Sequence, residues 1–132
     1  HMIYHFIRMS SEGKVNIYGD GKQSRDFICV KDVVRANEVA FNYAKGFDVF
    51  NVGSGKSTSF NELAALVIAA MGNNSPIGYT ANPLTKVYQL FTQAEMSKTK
   101  ESMGFSPEVS LEEGVKWMVD YYKPLFENNL IK

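Results

Sequence analysis

Apolar residues follow two different spacings, and segments with one spacing alternate along the chain with segments that have the other. The three- and four-residue spacing of an amphipathic helix occurs in residues 3–11, 33–45, 60–71 and 111–122. Period-two alternation or a short apolar run, each typical of a strand, occurs in residues 15–18, 26–30, 49–52 and 77–80. Short strands that alternate with helices predict an α/β arrangement, in which a small sheet of three or four short strands carries packed helices.

Capping residues and glycines mark where the predicted helices begin and end. A hydroxyl followed three residues later by glutamate, the pattern of a capping box, occurs as Ser59 with Glu62, Thr92 with Glu95, and Ser110 with Glu113. Asp32 is the predicted cap of the helix that Lys45-Gly46 ends. Gly19-Asp20-Gly21 predicts a tight turn directly after the first strand.

The length and composition indicate one ordinary globular domain. The chain has 132 residues, of which 45% are hydrophobic, so a single domain over residues 1–132 is expected. Because 14 basic residues balance 14 acidic ones, no general field favours a nucleic acid or an anionic membrane surface. Cys29 is the only cysteine and is expected to be a buried small apolar residue. The longest apolar run, residues 63–71, is far shorter than the roughly 20 residues of a membrane span, and we expect a cytoplasmic protein.

The first residues suggest a piece of a larger protein. His1-Met2 is typical of a cloning remnant, and a helical apolar pattern follows at once. A small complete protein with an amino-terminal helix is the alternative.

Two features that could indicate chemistry fail on closer inspection. Residues 53–57, Gly-Ser-Gly-Lys-Ser, resemble the end of a phosphate-binding P-loop, but the full motif requires a glycine where this chain has Phe50. The histidines, His1 and His5, lack a nearby cluster of carboxylates or cysteines, so a metal site is not expected.

Arg25 is a candidate anion-binding residue. It follows a glycine turn and precedes an apolar run, where its planar guanidinium could bind a phosphate through two hydrogen bonds. From chemistry alone, a surface ion pair with Asp26 is the simpler expectation.

Residues 88–95 combine an aromatic side chain, two amides and a predicted helix cap. Tyr88 and the amides suit contacts to a sugar nucleotide. Alternatively, Tyr88 and Phe91 are ordinary core residues and Thr92 is only a cap.

These segments together resemble the extended short-chain dehydrogenase/reductase family of nucleotide-sugar epimerases and dehydratases. The shared motifs are Ile-Tyr-Gly-Asp-Gly at 17–21, Arg-Asp-Phe-Ile-Cys-Val-Lys-Asp-Val at 25–33, with cysteine where tyrosine or histidine is common, and Phe-Asn-Val-Gly-Ser-Gly at 50–55. The segment Tyr-Gln-Leu-Phe-Thr-Gln-Ala-Glu at 88–95 is most similar to the ADP-glyceromanno-heptose 6-epimerases within that family. The resemblance covers residues 4–122 and implies the carboxyl-terminal, substrate-binding part of a Rossmann-type enzyme without its cofactor domain.

The resemblance also implies roles for particular residues. Arg25 would bind the diphosphate and Tyr88 would contact the nucleotide-sugar. Ile17, Tyr18, Gly19 and Asp20 would line the substrate, and His5 would match a substrate-contacting histidine.

The cofactor and the catalytic groups of that family are not expected in this chain. Tyr18 and Lys22 have the spacing of the family's catalytic pair, but the two glycines between them predict a turn, whereas the pair needs a helix. No glycine-rich dinucleotide fingerprint occurs, so NADP would be bound by a missing amino-terminal Rossmann domain. We therefore expect a fragment that is inactive alone.

Two alternatives stay open. One is another nucleotide-sugar enzyme, such as a UDP-glucose or UDP-glucuronate 4-epimerase or a 4,6-dehydratase. The other is a non-catalytic sugar-nucleotide-binding or assembly module, such as a homo-oligomer, because removal of the cofactor domain would expose apolar surface.

Overall fold

A computed structural model describes residues 2–43, 46–83 and 88–131. In chain order the elements are α1 (Met2–Ser11), β1 (Val15–Tyr18), β2 (Ser24–Asp26), α2 (Val30–Phe41), β3 (Ser57–Ser59), α3 (Phe60–Met71), β4 (Ile77–Thr80), α4 (Ser97–Met103) and α5 (Leu111–Glu127). The predicted α/β class is confirmed. His1, predicted to belong to a cloning remnant, and Lys45, predicted to end a helix, lie outside the described residues.

The strands form two separate pairs, which corrects the expected single sheet. Strand β1 pairs in parallel with β4, from Val15 opposite Ile77 to Tyr18 opposite Thr80. Strand β2 pairs antiparallel with β3, with Arg25 opposite Thr58. A two-stranded sheet is marginal by itself, so each pair depends on the helices packed against it.

Three helices and strand β1 supply the core. Helices α1, α3 and α5 pack against one another, and the rings of Phe6 and Phe60 meet edge to face with centroids 6.0 Å apart. The buried apolar cluster consists of Ile3, Phe6, Ile7, Val15, Ile17, Phe60, Leu63, Ala64, Val67, Met71, Val115 and Val119. Strand β2 leads from this core to the surface, where the candidate site lies.

The locally specified elements are confirmed. Helices α1, α3 and α5 and strands β1 and β4 lie where the pattern predicted them, although α5 continues to Glu127. Both α3 and α5 begin with a reciprocal capping box, Ser59 with Glu62 and Ser110 with Glu113.

Within the described parts of the chain, no helix is long and apolar enough to cross a membrane.

Helix α2 differs from its prediction. It begins at Val30, with Cys29 as its N-cap, so the strand predicted over residues 26–30 stops at Asp26. Asp32 lies inside the first turn and is 2% exposed. Its carboxylate accepts hydrogen bonds from the backbone N–H groups of Glu108 and Val109 instead of capping its own helix. Cys29 is a free cysteine and only partly buried.

Helix α2 and the segment after it expose apolar surface. Val30, Val34 and Phe41 lie on one side of α2 and are exposed, opposite the side that buries Asp32 and Ala36. Phe41 is 92% exposed and Phe47 is 96% exposed. Residues 49–52 form no strand, and Val49 is exposed, so the prediction of a buried strand there is wrong for this chain alone.

The predicted capping box at Thr92 and Glu95 is also wrong. Helix α4 begins at Ser97, and the hydroxyl oxygen of Thr92 accepts a hydrogen bond from the backbone N–H of Asp26 at 3.2 Å. Glu95 accepts from the backbone N–H of Ser97. Residues 88–96 therefore form an extended connection whose polar groups bind to strand β2 and the loop beside it.

Candidate anion-binding site

Arg25 is the central residue of the candidate site. Its guanidinium carbon lies 5.7 Å from the ring centroid of Phe60 and 5.6 Å from that of Tyr88, both within the range of a cation–π contact. One terminal nitrogen donates to the backbone carbonyl of Ser24 at 2.7 Å, and the other donates to the carbonyl of Gln89. These carbonyls use two of the five N–H groups of a guanidinium. Arg25 is therefore held in place by neutral groups.

Arg25 forms no ion pair with any carboxylate in the described part of the chain. The pairing with Asp26 that chemistry alone favoured is thus absent. A half-buried arginine without a neutralising partner keeps its full charge for an external anion, and the planar fork suits a phosphate.

Residues 88–94 run beside strand β2 like an added edge strand. The backbone N–H of Ser24 donates to the carbonyl of Leu90 at 2.9 Å, and the N–H of Thr92 donates to the carbonyl of Ser24 at 3.2 Å. The side chain of Thr92 adds the bond from the N–H of Asp26. This pairing brings Tyr88 and Gln89, which are 63 and 64 positions along the chain from Arg25, to its guanidinium.

The carboxylate of Asp26 points away from Arg25 into a cradle of donors. Its Oδ1 accepts from the backbone N–H of Ser54 at 2.7 Å and from the Ser54 hydroxyl at 2.6 Å. Its Oδ2 accepts from the N–H of Gly55 at 3.0 Å and from that of Ala94 at 2.9 Å. Burial opposes ionisation, but these donors outweigh it and hold the pKa of Asp26 below its ordinary value of 3.8.

This cradle explains why the glycine loop at residues 53–57 is not a phosphate site. The amide groups of Ser54 and Gly55 that could have met a phosphate already bind the carboxylate of Asp26. Strand β3 separates Lys56 from helix α3, which begins at Phe60 and whose N-terminus is capped by Ser59. For the same reason, this glycine loop does not fit the diphosphate of a dinucleotide cofactor.

The turn at residues 19–21 is fixed against helix α3. Asn61 donates to the carbonyl of Asp20 at 3.0 Å, and the hydroxyl of Tyr79 donates to Asn61 at 3.0 Å. Gly21 has a φ of +74°, and a Cβ there would lie 1.9 Å from Oδ1 of Asn61, so only glycine fits. The hydrogen bond from the N–H of Lys22 is the main cause that lowers the pKa of Asp20.

The other predicted substrate-lining residues fall into two groups. Tyr18, Gly19 and Asp20 are exposed at the end of strand β1. The side chain of Ile17 is 1% exposed and belongs to the core, so only its backbone could contact a substrate, and Ile17 as a substrate-lining residue stays a prediction. Ile17 was predicted from its place in a shared motif, but alternation along β1 turns it inward.

His5 lies on an exposed face of α1. Its ring centroid is 5.6 Å from that of Tyr4. Burial, followed by the amino terminus and Arg8, lowers its pKa below 6.5. No contact between His5 and the Arg25–Tyr88 pair occurs among the contacts of the described residues. His5 as a substrate contact stays a prediction.

Two contributors to the site are not predicted by the sequence pattern. Phe60 was taken only as the start of a helix, although its ring lies against Arg25. The role of Asp26 as the centre of a donor cradle was also missed. A hint was present, since a carboxylate and the amide groups of a Gly-Ser-Gly loop are complementary. Among the described residues, no group of three His, Cys, Asp or Glu side chains could hold a metal ion.

Comparisons with known proteins give a consistent relationship. Residues 1–53 match the NAD dependent epimerase/dehydratase family. A putative UDP-glucose 4-epimerase from Methanocaldococcus jannaschii is 37% identical over 107 residues, which are 81% of this chain and 33% of that protein. The chain thus spans about a third of that curated relative.

Solved structures agree with this relationship. UDP-glucose 4-epimerase from Thermotoga maritima, solved with UDP-glucose, superimposes with a TM-score of 0.84 at 34% identity, over 96% of this chain and 40% of that one. UDP-glucuronic acid 4-epimerase from Bacillus cereus, solved with UDP-glucuronic acid and NAD, gives a TM-score of 0.85 at 26% identity, over 95% and 40%. The chain is therefore similar in sequence and fold to part of these nucleotide-sugar epimerases, over about 95% of its own length and 40% of theirs.

Proposed function

We propose that this chain is the substrate-binding part of an NAD(P)-dependent nucleotide-sugar epimerase, and that Arg25 binds the diphosphate of the substrate. The observation that supports the proposal most is the charge of Arg25, which is held between Phe60 and Tyr88 and is not neutralised by a described carboxylate. The two relatives with solved structures named above bind UDP-sugars. The oxygens of a diphosphate would accept hydrogen bonds from the remaining N–H groups of Arg25.

The chemistry is divided between this part and the rest of the enzyme. In epimerases of this type the nicotinamide cofactor supplies reversible hydride transfer with the sugar. The amides of the glycine loop are already bound to Asp26 and are not free to hold the diphosphate of a cofactor. The residues of this chain would therefore bind and orient the substrate. The isolated chain is therefore expected to bind a nucleotide-sugar and to catalyse nothing.

The exposed apolar surface on α2 and the segment after it indicates that a further layer of structure packs there. Phe41 and Phe47 are almost fully exposed, and a helix with apolar residues on two opposite sides is typical of a layer between two others. The relatives continue well beyond the matched part. We propose that the remainder of the enzyme fold, a Rossmann domain, covers this surface.

The sugar nucleotide is a finer question. The named relatives favour a UDP-sugar and epimerisation at C4, whereas the segment at 88–95 favours an ADP-heptose and epimerisation at C6. The relatives support a UDP-sugar at least as well as the 88–95 segment supports an ADP-heptose, and we therefore propose a UDP-sugar first. NAD and NADP are both open.

Isothermal titration calorimetry on the 132-residue chain tests the proposal. UDP-glucose, UDP-glucuronate and an ADP-sugar are each titrated into the wild-type chain and into Arg25→Ala. Loss of a charge-assisted hydrogen bond is expected to weaken binding by about 1.5–3 kcal/mol, or roughly 10- to 150-fold. Lys116→Ala, which removes an exposed cation on α5, is the control and should bind like wild type.

The results separate the alternatives. Equal affinity of wild type and Arg25→Ala would remove Arg25 from the site. Preference for the ADP-sugar over both UDP-sugars would favour the heptose 6-epimerases. Tight binding together with a stable homo-oligomer in light scattering would favour a binding or assembly module over a truncated enzyme.

A further inference from the structure

The segment that carries Tyr88 and Gln89 has no regular secondary structure of its own. Residues 88–96 belong to no helix or strand, so external contacts must hold them. The backbone pairing with Ser24 fixes the middle of the segment at Leu90 and Thr92. Its far end is fixed at Ala94, whose N–H donates to the carboxylate of Asp26.

Asp26 connects three parts of the chain through one carboxylate. It lies on strand β2 next to Arg25 and takes two backbone N–H groups and a hydroxyl from the glycine loop and one N–H from the 88–94 segment. Gln93 adds a second link between the segment and the loop, since its side chain donates to the carbonyl of Gly55 at 2.8 Å. The ring of Tyr88 and the carbonyl of Gln89, which hold Arg25, thus belong to a segment that is hydrogen-bonded to Asp26.

Gly53 shows how closely the cradle is packed. A Cβ at this position would lie 2.4 Å from the Cβ of Ala94 and 2.8 Å from Oδ2 of Asp26. No side chain, even a methyl group, fits there without moving the segment or the carboxylate. The close approach of residue 94 to Asp26 therefore requires glycine at 53.

We propose that Asp26 is a positioning residue for the nucleotide-sugar site, whose carboxylate holds residues 88–94 against β2 and thereby sets Tyr88 and Gln89 around the guanidinium of Arg25. The inference rests on the proposed function of Arg25. Asp26 does not touch the ligand, because all four donors in its cradle belong to this chain.

An ionised carboxylate is required by this arrangement. Both oxygens of Asp26 face donors only, at 2.6 to 3.0 Å. In Asp26→Asn one side must present an NH2 group to donors, so one half of the cradle is lost while the side-chain volume is kept. Gly53→Ala disturbs the same contact without a change in charge.

The experiment compares these variants with matched controls. UDP-glucose is titrated by calorimetry into wild type, Asp26→Asn and Gly53→Ala, below the melting temperature of each chain as set by circular dichroism. Asp32→Asn is the control for stability, because the carboxylate of Asp32 likewise accepts backbone N–H groups, but from residues 108 and 109. Gly114→Ala is the control for the added methyl group, which would meet only Cys29, at 4.0 Å.

The affinity of both test variants for UDP-glucose should fall about tenfold or more, as for a lost charge-assisted bond. Both controls should bind like folded wild type. If loss of stability alone weakened binding, Asp32→Asn would weaken it as much as Asp26→Asn. Folded test variants that bind UDP-glucose as tightly as wild type would overturn the role of Asp26 and leave the role of Arg25 intact.

An NMR measurement on wild type needs no variant. The amide resonances of Ser54, Gly55 and Ala94 should move together as the pH falls below 3.8 and Asp26 takes up a proton, and the resonances of Tyr88 and Gln89 should follow. Independent behaviour of Tyr88 and Gln89 would contradict the positioning role. If wild type binds none of the sugar nucleotides, the proposed function fails, and this inference fails with it.

Discussion

Asp32→Asn tests whether a buried carboxylate holds helix α2 to the chain before α5. Asp32 accepts the N–H of Glu108 at 3.0 Å and that of Val109 at 2.9 Å, and Arg35 donates to it at 3.0 Å. Asparagine keeps one acceptor and turns an NH2 group toward donors. Loss of one charge-assisted bond predicts a free energy of unfolding lower by about 1.5–3 kcal/mol. Asp32→Ala removes the acceptor from Arg35 and from both N–H groups and should lower stability at least as much, although Arg35 keeps its ion pair with Glu108 at 3.2 Å.

The pH dependence gives the same prediction a second test. Burial opposes ionisation of Asp32, but the N–H groups of Val109 and Glu108, with Arg35, lower its pKa below 3.8. A carboxyl group whose pKa is lower in the folded state stabilises the fold fully above its unfolded value and loses this contribution as the pH falls through the folded value. The stability difference between wild type and Asp32→Asn should therefore be constant near neutral pH and shrink below 3.8.

Urea unfolding followed by circular dichroism measures this difference. Asp120→Asn is a suitable control, because Asp120 is exposed and pairs with Lys116 one helical turn away, and it should change stability by less than about 0.5 kcal/mol. An equally small effect of Asp32→Asn, or a difference that grows in acid, would refute the reasoning.

Two further changes test the helix cap and the exposed apolar surface. Ser110→Ala removes the side chain that accepts the N–H of Glu113 at 3.2 Å, and should lower stability by about 1 kcal/mol in the same urea assay; no loss would show that α5 does not depend on its cap. Replacement of Phe41 and Phe47 by serine should reduce self-association of the isolated chain in light scattering without lowering its melting temperature, because both rings are exposed. Leu130→Ser, at an exposed terminal position, is the control; unchanged self-association of the double variant would show that this surface is not what associates.

The predictable part of the fold is the part whose signals lie within a few residues. The capping boxes at Ser59 and Ser110 specify their helix starts because both partners lie three positions apart. The partner of Thr92 is the backbone of Asp26, 66 positions away, so a correct hydroxyl-and-glutamate pattern gave a wrong helix start. Asp32 was misassigned for the same reason, since its partners lie 76 and 77 positions along the chain.

Residues 49–52 show a different kind of limit. Their apolar pattern predicts burial, but Val49 is exposed in this chain. A strand forms only when a neighbour supplies hydrogen bonds, and no described strand lies beside this segment. Because burial depends on every layer that packs against a segment, an apolar pattern alone does not determine it.

The candidate site shows the first of these limits again, because the glycine loop and its partner Asp26 lie 28 positions apart. A Gly-Ser-Gly loop offers amide groups to an anion, but its sequence does not specify whether that anion is a phosphate or a carboxylate of the same protein. In this chain the loop binds Asp26 and so takes up the one carboxylate adjacent to Arg25 in sequence. Had Asp26 paired with Arg25 instead, the arginine would be neutralised and the loop amides would be free. The glycine loop and Arg25 thus belong to one arrangement. The carboxylate of Asp26 occupies the loop amides, and the guanidinium of Arg25 is left without a carboxylate partner among the described residues.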